Sequence, residues 1–293
     1  MNSNDTRILV KDFNFYYGDF KALKDINMEI KKNKVTALIG PSGCGKSTTG
    51  RVILRLLEAT DGEILFEGEN IRNYSKEQMR EMRKKMQIIF QDPFASLNPR
   101  MTVSEIIAEP LIIHKMCKSK EELEARVKEL MDTVGLSERL MNTYPHELDG
   151  GRRQRIGIAR ALALKPKFIV CDEPVSALDV SIQAQVLNLM KDLQEEFGLT
   201  YMFITHDLSV VKHFSDDIAV MYLGQLVEKA PSKMLFKNPI HPYTKALLSA
   251  IPVPSVKKKM ERIKLQGEIT SPINPDKGSV SYTHLTLPTK LEV

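Results

Sequence analysis

The chain has 293 residues, of which 42% are hydrophobic, so it can bury one substantial α/β core and still hold a smaller lobe or a tail. Its formal charge is +5, and the basic residues are scattered in short clusters, which does not imply a nucleic-acid partner. No run reaches the roughly 18 apolar residues of a membrane span, the first residues lack a signal-peptide pattern, and the three cysteines form no C-x-x-C pair. We therefore expect a chain of the reduced cytosol, or one that meets a membrane only through partners.

The first part of the chain predicts a small β layer that leads into a strand, a loop and a helix. Apolar and polar residues alternate in three short runs, at residues 7–10, 13–17 and 26–30. Residues 35–39 form an apolar, β-branched run typical of a buried strand, and residues 48–57 carry apolar side chains at helical spacing. The loop between this strand and this helix therefore has the context that a phosphate-binding loop requires.

The loop itself matches the pattern G-x-x-x-x-G-K-S/T in full. Its glycines let backbone N–H groups converge on phosphates, Lys46 reaches the β and γ oxygens, and the Ser47 hydroxyl is placed to ligate Mg²⁺. An ordinary glycine-rich turn is the alternative, which the flanking strand and helix disfavour. We therefore predict a nucleoside triphosphate site formed by Gly40, Pro41, Ser42, Gly43, Cys44, Gly45, Lys46, Ser47 and Thr48.

The rest of the chain alternates between strands and helices, with one helical insertion. From residue 103 to about residue 140 the apolar period is helical, which predicts an inserted helical lobe. The alternation of strands and helices after it predicts a mostly parallel sheet. Beyond about residue 232, Pro and Lys become frequent and the periodicity fades into a peripheral extension. The later predicted elements are strands at residues 63–66, 86–90, 168–171, 200–204 and 217–221 and a helix at residues 182–196.

Two adjacent acids, Asp172 and Glu173, follow the predicted strand at residues 168–171. This places them at the carboxyl end of a strand, where open α/β sheets bind ligands. Phosphoryl transfer needs an acid to hold Mg²⁺ and a group to position the attacking water, so Asp172 is the candidate metal ligand and Glu173 the candidate general base. Such a pair alone is commonly a surface feature, and the phosphate loop favours the functional interpretation.

Two further polar residues end predicted strands. His206 follows the strand at residues 200–204 and could hydrogen-bond a γ-phosphate oxygen and the attacking water. Gln91 follows the strand at residues 86–90 and could reach the metal or the water through its amide. A structural histidine and an ordinary strand-end glutamine are the alternatives, and the shared sheet edge favours the site.

The order of these motifs resembles that of the nucleotide-binding subunit of ABC transporters, over about residues 9–275. The resemblance implies an α/β fold with a P-loop NTPase core and mostly parallel sheet, an N-terminal antiparallel β layer and an inserted helical subdomain. It divides the chain into a core lobe at residues 1–91 and 146–231, a helical subdomain at residues 92–145 and a C-terminal extension at residues 232–278.

The same resemblance implies that the chain is an ATPase that uses ATP and Mg²⁺. The catalytic groups that it implies are Lys46, Glu173 and His206. The implied metal ligands are Ser47, Gln91 and Asp172. The further implied nucleotide contacts are Tyr17, where the family stacks a ring on adenine, Gln91 of the Q-loop, Asp149, Gly150 and Gly151 of the signature, and Asp179 of the D-loop.

Three segments look like the branch of the family that energises oligopeptide and dipeptide import: residues 91–103, 241–248 and 267–269. This resemblance implies two transmembrane permease subunits and a second ATPase subunit as partners. It implies an indirect partner as well, an extracytoplasmic peptide-binding protein. We expect a peripheral subunit on the cytoplasmic face of the membrane, and the substrate class rests on the resemblance alone.

The signature departs from the family's usual Leu-Ser-Gly-Gly-Gln, because Asp149 replaces Ser and Arg152 replaces Gln. In the family, two such subunits close head to tail, and each signature contacts the γ-phosphate held by the other. An ionised Asp149 would meet that phosphate with like charge, which Arg152 would partly offset. We therefore expect a related chain as the partner ATPase and slower hydrolysis at the site that this signature completes, with a tolerated variant of normal activity as the alternative.

The end of the chain also departs from the family, whose peptide-importer members commonly continue into a cysteine-bearing segment. Residues 279–293 contain no cysteine and have no counterpart that we can place. We interpret them as translated sequencing-adapter read-through at a truncated gene, with a natural variant tail as the alternative.

Two other functions stay open at the level of sequence. A soluble ABC ATPase that acts on nucleic acid or ribosomes typically adds long coiled coils, duplicated ATPase domains or strongly basic arms, and the sequence contains none of them. The second open function is a regulatory subunit that binds ATP without turnover. Asp149 favours this function, whereas Glu173 and His206 disfavour it.

Overall fold

Two β-sheets and their flanking helices make up the computed structural model, which describes residues 5–251 and residue 263. The strands are β1 (Thr6–Tyr17), β2 (Phe20–Lys31), β3 (Val35–Ile39), β4 (Asp61–Phe66), β5 (Glu69–Asn70), β6 (Met86–Ile89), β7 (Phe168–Asp172), β8 (Thr200–Ile204), β9 (Asp217–Tyr222) and β10 (Gln225–Pro231). The helices are α1 (Lys46–Ile53), α2 (Lys76–Lys85), α3 (Pro93–Ser96), α4 (Val103–Ile113), α5 (Lys120–Thr133), α6 (Gly150–Leu162), α7 (Val180–Phe197), α8 (Leu208–Phe214), α9 (Ser232–Lys237) and α10 (Pro242–Ser249).

The larger sheet has the strand order β10-β9-β3-β8-β7-β6. Its pairs are parallel from β9 through β6, and only the edge strand β10 runs antiparallel to its neighbour. The mostly parallel sheet is therefore confirmed. Because the carboxyl ends of β3, β8, β7 and β6 lie along one edge, the residues that follow these four strands lie near one another.

The smaller sheet has the order β2-β1-β4-β5, with every pair antiparallel, which confirms the N-terminal β layer. The two strands predicted at residues 7–10 and 13–17 are one strand, β1, with irregular pairing around Asp12, whose φ is +45°. Apolar side chains of this layer share a buried cluster with α1 and with one face of the larger sheet.

The helical insertion lies between β6 and β7 and packs on the other face of the larger sheet. Thr102 and Glu105 form a reciprocal capping box at the start of α4, and Ser119 caps α5, so both helices begin where side chains satisfy free backbone N–H groups. The predicted apolar face of α5 is buried at Val127, Leu130 and Met131. The inserted helical subdomain is thus confirmed, while the domain boundaries stay a prediction.

The helix after the phosphate loop is shorter than predicted. It ends at Ile53, because Arg55 has a left-handed φ of +52° that stops the helical path. The apolar residues beyond it that fit the helical spacing include Leu56, which is 48% exposed. The prediction that this helix extends to residue 57 is therefore wrong.

The segment after residue 232 is more ordered than its composition indicates. It forms α9 and α10, and Tyr243 on α10 is buried with its ring centroid 4.5 Å from that of Tyr222. The segment up to Ser249 therefore shares a core cluster with β9, β10 and α8. The interpretation of residues 279–293 and the motif at residues 267–269 lie outside the described residues. In the part of the chain that the structure describes, no helix is both long enough and apolar enough to span a bilayer.

Candidate nucleotide-binding site

The phosphate loop connects β3 to α1 through backbone positions that only glycine fits. A Cβ atom on Gly40 would lie 2.2 Å from the Met221 carbonyl oxygen, and one on Gly45 would lie 2.5 Å from Leu23 Cδ2. Gly45 also has a left-handed φ of +101° directly before α1 begins. The loop can therefore pass close to β9 and β2 and lead straight into α1, whose first N–H groups have no partner within the helix and are available to an anion.

Lys46 lies in the concavity that the loop encloses. Its side chain is almost fully buried, and Nζ donates to the carbonyl oxygens of Gly40 and Pro41, at 2.8 Å each. Nζ is also 3.9 Å from Cys44 Sγ, and burial raises the pKa of that thiol. A buried ammonium at the N-terminus of a helix makes an anion site suited to phosphate.

Ser47 and Asp172 meet beside this loop. Ser47 Oγ donates to Asp172 Oδ1 at 2.6 Å, and Arg51 Nη2 lies 3.8 Å from Asp172 Oδ2. Burial raises the pKa of Asp172, which is 2% exposed, while the Ser47 hydrogen bond and the Arg51 charge lower it. A hydroxyl and a carboxylate oxygen are ligands that Mg²⁺ prefers, so this pair fits a magnesium ion.

Glu173 contacts two of the other predicted site residues through one carboxylate oxygen. Gln91 Nε2 donates to Glu173 Oε2 at 2.9 Å, and His206 Nδ1 lies 3.3 Å from the same oxygen. Glu173 has a left-handed φ of +48°, a conformation costly to a side chain with a Cβ, and its N–H donates to the Ile204 carbonyl oxygen. The turn after β7 thus presents this carboxylate between the residues that follow β6 and β8.

Tyr17 lies at the end of β1, next to α1. Its ring is half exposed and stands edge-on to Phe15, with 4.8 Å between the ring centroids. Its hydroxyl lies 3.3 Å from Thr48 Oγ1. An exposed ring held in this way offers a face on which a base can stack.

The predicted signature residues lie at the start of α6. Asp149 is the N-cap, since its Oδ1 accepts the Arg152 N–H at 2.8 Å, and its Oδ2 lies 3.5 Å from Arg152 Nη1. A Cβ atom on Gly151 would lie 2.6 Å from Ile182 Cγ2, and one on Gly150 would lie 2.9 Å from a methyl of Leu178. These contacts join the start of α6 to the start of α7 and to Leu178 just before it, and none of them reaches the phosphate loop.

Asp179 lies directly before α7 and is exposed, next to Val180, which is 82% exposed. Its carbonyl oxygen accepts the Gln183 N–H, and its side chain makes no capping hydrogen bond. The structure thus brings together Lys46, Ser47, Asp172, Gln91, Glu173 and His206, and presents Asp149 and Asp179 on a separate surface.

The family model described as "ABC transporter" matches residues 23–176, a range that contains the phosphate loop, the signature and the acidic pair. The chain belongs to the ABC transporter family. A second model, "Oligopeptide/dipeptide transporter, C-terminal region", matches residues 227–280. As an ABC ATP-binding subunit the chain is an ATPase that binds ATP.

Several curated ABC proteins are similar over most of their length. The oligopeptide transport ATP-binding protein OppF of Bacillus subtilis is 61% identical over 84% of this chain and 81% of its own length. AppF of the same organism, also an oligopeptide transport ATP-binding protein, is 55% identical over 91% of this chain and 82% of its own. The dipeptide transport ATP-binding protein DppF of Haemophilus influenzae is 53% identical over 88% of this chain and 79% of its own.

Solved ABC structures share the fold. cbiO1 of Clostridium perfringens, part of the cbiONQ transporter complex, aligns with a TM-score of 0.73 and 31% identity, over 80% of this chain and 92% of its own. A dimeric ATP-binding cassette in a post-hydrolysis state, bound to ADP and Pi, aligns with a TM-score of 0.69 and 32% identity, over 77% of this chain and 98% of its own. The P-loop NTPase fold of the ABC family is therefore confirmed.

Sequence reasoning missed one charged residue of the site. Arg51 lies on α1 four positions after Ser47, and residues four apart share a helix face, so its proximity to Asp172 follows from helical spacing. Reasoning from motifs also treated Asp149 only as a charge toward a distant phosphate. The position of Asp149 directly before a helix predicts a cap, which is the role that the structure gives it.

Proposed function

We propose that this ABC subunit hydrolyses ATP to energise the import of oligopeptides or dipeptides across the cytoplasmic membrane. The observation that carries the hydrolytic part is the convergence of Gln91 and His206 on one oxygen of Glu173, beside the Lys46 loop. The peptide class is supported by the names of the relatives and by the match of residues 227–280 to the C-terminal region of peptide transporters.

In this proposal the phosphate loop binds the triphosphate, and Lys46 exchanges its two carbonyl partners for β- and γ-phosphate oxygens. Ser47 and Asp172 would hold Mg²⁺, and Gln91 is the third proposed ligand. When bound, Mg²⁺ neutralises charge that develops on the phosphate oxygens. Asp172 would be held in its ionised form beside the metal, although burial alone disfavours that form by raising its pKa.

Glu173 is the proposed general base, because its carboxylate is close to both strand ends that flank β7. Gln91 and His206 orient the carboxylate through Oε2, which leaves its other oxygen for the attacking water. His206 is exposed, so its imidazole can exchange this contact for a hydrogen bond to a γ-phosphate oxygen. Tyr17 is the proposed stacking partner of adenine.

A second ATPase subunit completes the site in this proposal. The start of α6, with Asp149, Gly150 and Gly151, and the exposed Asp179 would face the ATP held by that subunit. The helical N-terminus and the two glycines offer N–H donors to a phosphate. The carboxylate of Asp149 favours a related chain over an identical copy as the partner.

Membership of the ABC transporter family implies membrane permease partners, and we propose that one of two permease subunits binds the helical subdomain of this chain. A groove of about 720 Å³ lies there between α4, α5 and residues 138–142. Its floor and rim include the half-exposed Ile112 and Ile113, and four acids outnumber two lysines around it. We therefore expect an amphipathic permease helix with basic residues, and a peripheral position for this subunit on the cytoplasmic face. The charged lining residues are Glu105, Glu109, Glu124, Glu138, Lys120 and Lys128.

The proposal is tested with the assembled transporter: this chain, a sister ATPase and two permeases in proteoliposomes, with a peptide-binding protein. We expect peptide-stimulated ATP hydrolysis and ATP-dependent uptake of labelled peptide. Glu173→Gln should still bind ATP, because the substitution is isosteric, but should lower turnover by about 10²- to 10⁴-fold, as loss of a general base does.

Glu196→Gln, at an exposed glutamate near the end of α7, is the matched control and should retain turnover. Unchanged turnover in Glu173→Gln would contradict the assigned base. ATP binding without hydrolysis by the assembled wild-type pair would indicate a regulatory subunit instead. Hydrolysis that no peptide stimulates would contradict the substrate class.

A further inference from the structure

The Q-loop and the signature helix are joined by one stacked pair of side chains. Phe94 lies three residues after Gln91, on the short helix α3, and Arg153 lies two residues after Gly151, on α6. The guanidinium carbon of Arg153 is 3.3 Å from the centroid of the Phe94 ring. Arg153 is 5% exposed, whereas Phe94 is 60% exposed, so the ring lies on the solvent side of the guanidinium and shields it from water. The pair thus spans two segments that sequence motifs assign to different ATP molecules.

Arg153 is held rigidly on its own side of the contact. Its Nε donates to the Pro145 carbonyl oxygen at 2.5 Å, and Nη2 donates to the His146 carbonyl oxygen at 3.2 Å. Burial lowers the pKa of Arg153, and the charge of Asp149 raises it. Within residues 5–251 the guanidinium is therefore satisfied by two carbonyls and an aromatic face, not by a salt bridge.

A second contact also joins α3 to α6. Arg160, two turns further along α6, donates from Nη1 to the Ser96 carbonyl oxygen at 2.7 Å, at the other end of α3. On its near side α3 is capped by Asp92, which accepts the N–H groups of Phe94 and Ala95. The short helix α3 therefore contacts α6 through both Phe94 and Ser96, and it begins two residues after the Q-loop glutamine.

We propose that the Phe94–Arg153 stack makes the Q-loop and the N-terminus of α6 move as one unit. ATP bound at the chain's own Lys46 would then set the position of the signature that the chain offers to its partner. Phe94 and Arg153 are positioning residues in this proposal, since neither touches the reacting atoms. The inference rests on the proposed function, because it needs ATP at the phosphate loop and a partner opposite the signature.

The physical step starts at Gln91. In the structure its amide is bonded to Glu173, and engagement of metal or water at a bound nucleotide would change that partner. A shift of Gln91 would displace α3, which begins two residues later at Pro93, and the stack would transfer the displacement to α6. A guanidinium–ring stack of this kind shifts the equilibrium between the joined and separated positions of α3 and α6 by about two- to thirty-fold, which is enough to couple the two segments.

The test uses the full chain alone, at a concentration at which sedimentation shows a monomer, with Mg²⁺ and a non-hydrolysable ATP analogue. Hydrogen exchange is followed at residues 40–48, 91–97 and 149–155. In the wild type we expect the analogue to slow exchange at residues 40–48 and to change it at least about twofold at residues 149–155. Phe94→Leu should keep the first effect and lose the second.

Further variants separate coupling from simple stability. Phe94→Tyr keeps the ring and should behave as the wild type, whereas Arg153→Lys keeps the charge without the planar face and should behave as Phe94→Leu. Phe197→Leu removes a half-exposed ring far along α7 and is the matched control. Because Phe94 is largely exposed, Phe94→Leu should melt within a few degrees of the wild type.

Two results would overturn the inference alone: protection at residues 40–48 without any change at residues 149–155 in the wild type, or a full change at residues 149–155 in Phe94→Leu. No protection at residues 40–48 in the wild type would refute the proposed function itself, and the inference with it. The three results are distinguished by the segment in which exchange does or does not respond.

Discussion

The charge of Asp149 can be tested separately from its structural role, because other residues cap a helix equally well. Asp149 Oδ1 accepts the Arg152 N–H at the start of α6. Ser and Asn have N-cap preferences close to that of Asp, so Asp149→Ser and Asp149→Asn keep the cap and remove the charge. The lost ion pair with Arg152 joins two half-exposed side chains. We therefore expect the free energy of unfolding to change by less than about 0.5 kcal/mol.

The functional effect should be larger than this. In the closed pair, the Asp149 carboxylate would face the γ-phosphate of the partner's ATP, and two unit charges about 6 Å apart repel by about 3 kcal/mol at an effective dielectric constant of about 20. Arg152 Nη1, 3.5 Å from Asp149 Oδ2, cancels part of that repulsion. We expect about 1–2 kcal/mol to remain, so that both variants raise turnover at this site about five- to thirty-fold.

The assay is single-turnover ATP hydrolysis by the assembled transporter, with the partner subunit's ATP labelled. Melting temperatures of each variant establish that the cap is intact. Unchanged turnover in both variants would refute the electrostatic reasoning and support a tolerated natural variant. An increase in Asp149→Ser alone would also refute it, because it would assign the effect to a hydroxyl donor instead of to the lost charge.

Three further outcomes follow from the geometry of the site and its supports. Asp172→Asn should raise the melting temperature of the Mg²⁺-free chain. Burial raises the pKa of Asp172, so the wild type loses stability as the pH rises through that pKa and the buried carboxyl ionises. The difference in melting temperature between the variant and the wild type should therefore grow from acidic to neutral pH. A gain that does not vary with pH would contradict this. Gly50→Ala should destabilise the chain by up to about 2 kcal/mol in urea denaturation, because its Cβ would lie 2.8 Å from Val170 Cγ1. Gly157→Ala should instead stabilise the chain by about 0.5–1 kcal/mol, because no atom lies within 4 Å of its Cβ and Ala favours a helix over Gly. Equal signs for the two would refute the packing argument. Tyr17→Leu should weaken ATP binding by about 1–3 kcal/mol in calorimetry, and Tyr17→Phe should bind as the wild type does; equal affinities of both variants would contradict stacking.

Much of the site could be predicted from sequence because its residues follow strongly apolar strands. Parallel strands end at one edge of a sheet, so the strand pattern alone indicates that Lys46, Gln91, Asp172 and His206 lie near one another. Their order along that edge could not be predicted, since β8 lies between β3 and β7 although it follows both in the chain. Strand order depends on the packing of whole helices and sheets, which no short segment encodes.

Other features escaped sequence reasoning for local reasons. Helical spacing extended α1 past Ile53, because the apolar pattern does not register the left-handed turn at Arg55. Pro and Lys between residues 232 and 249 obscured α10, although Tyr243 is buried there. The stack of Phe94 on Arg153 joins residues far apart in the chain, and such pairs leave no periodic signal.

The central position of β8 also constrains how the chain can acquire its fold during synthesis. When residue 172 leaves the ribosome, β3 and β7 are both present, but the strand that hydrogen-bonds to each of them has not yet been made. The larger sheet therefore cannot close until residues 200–204 emerge, and apolar edges of β3 and β7 stay open to chaperones or to wrong pairing in the meantime. We expect a nascent chain stalled before that point to carry the whole phosphate-loop sequence without the neighbouring strand that supports it, and therefore to bind ATP poorly in a filter-binding assay.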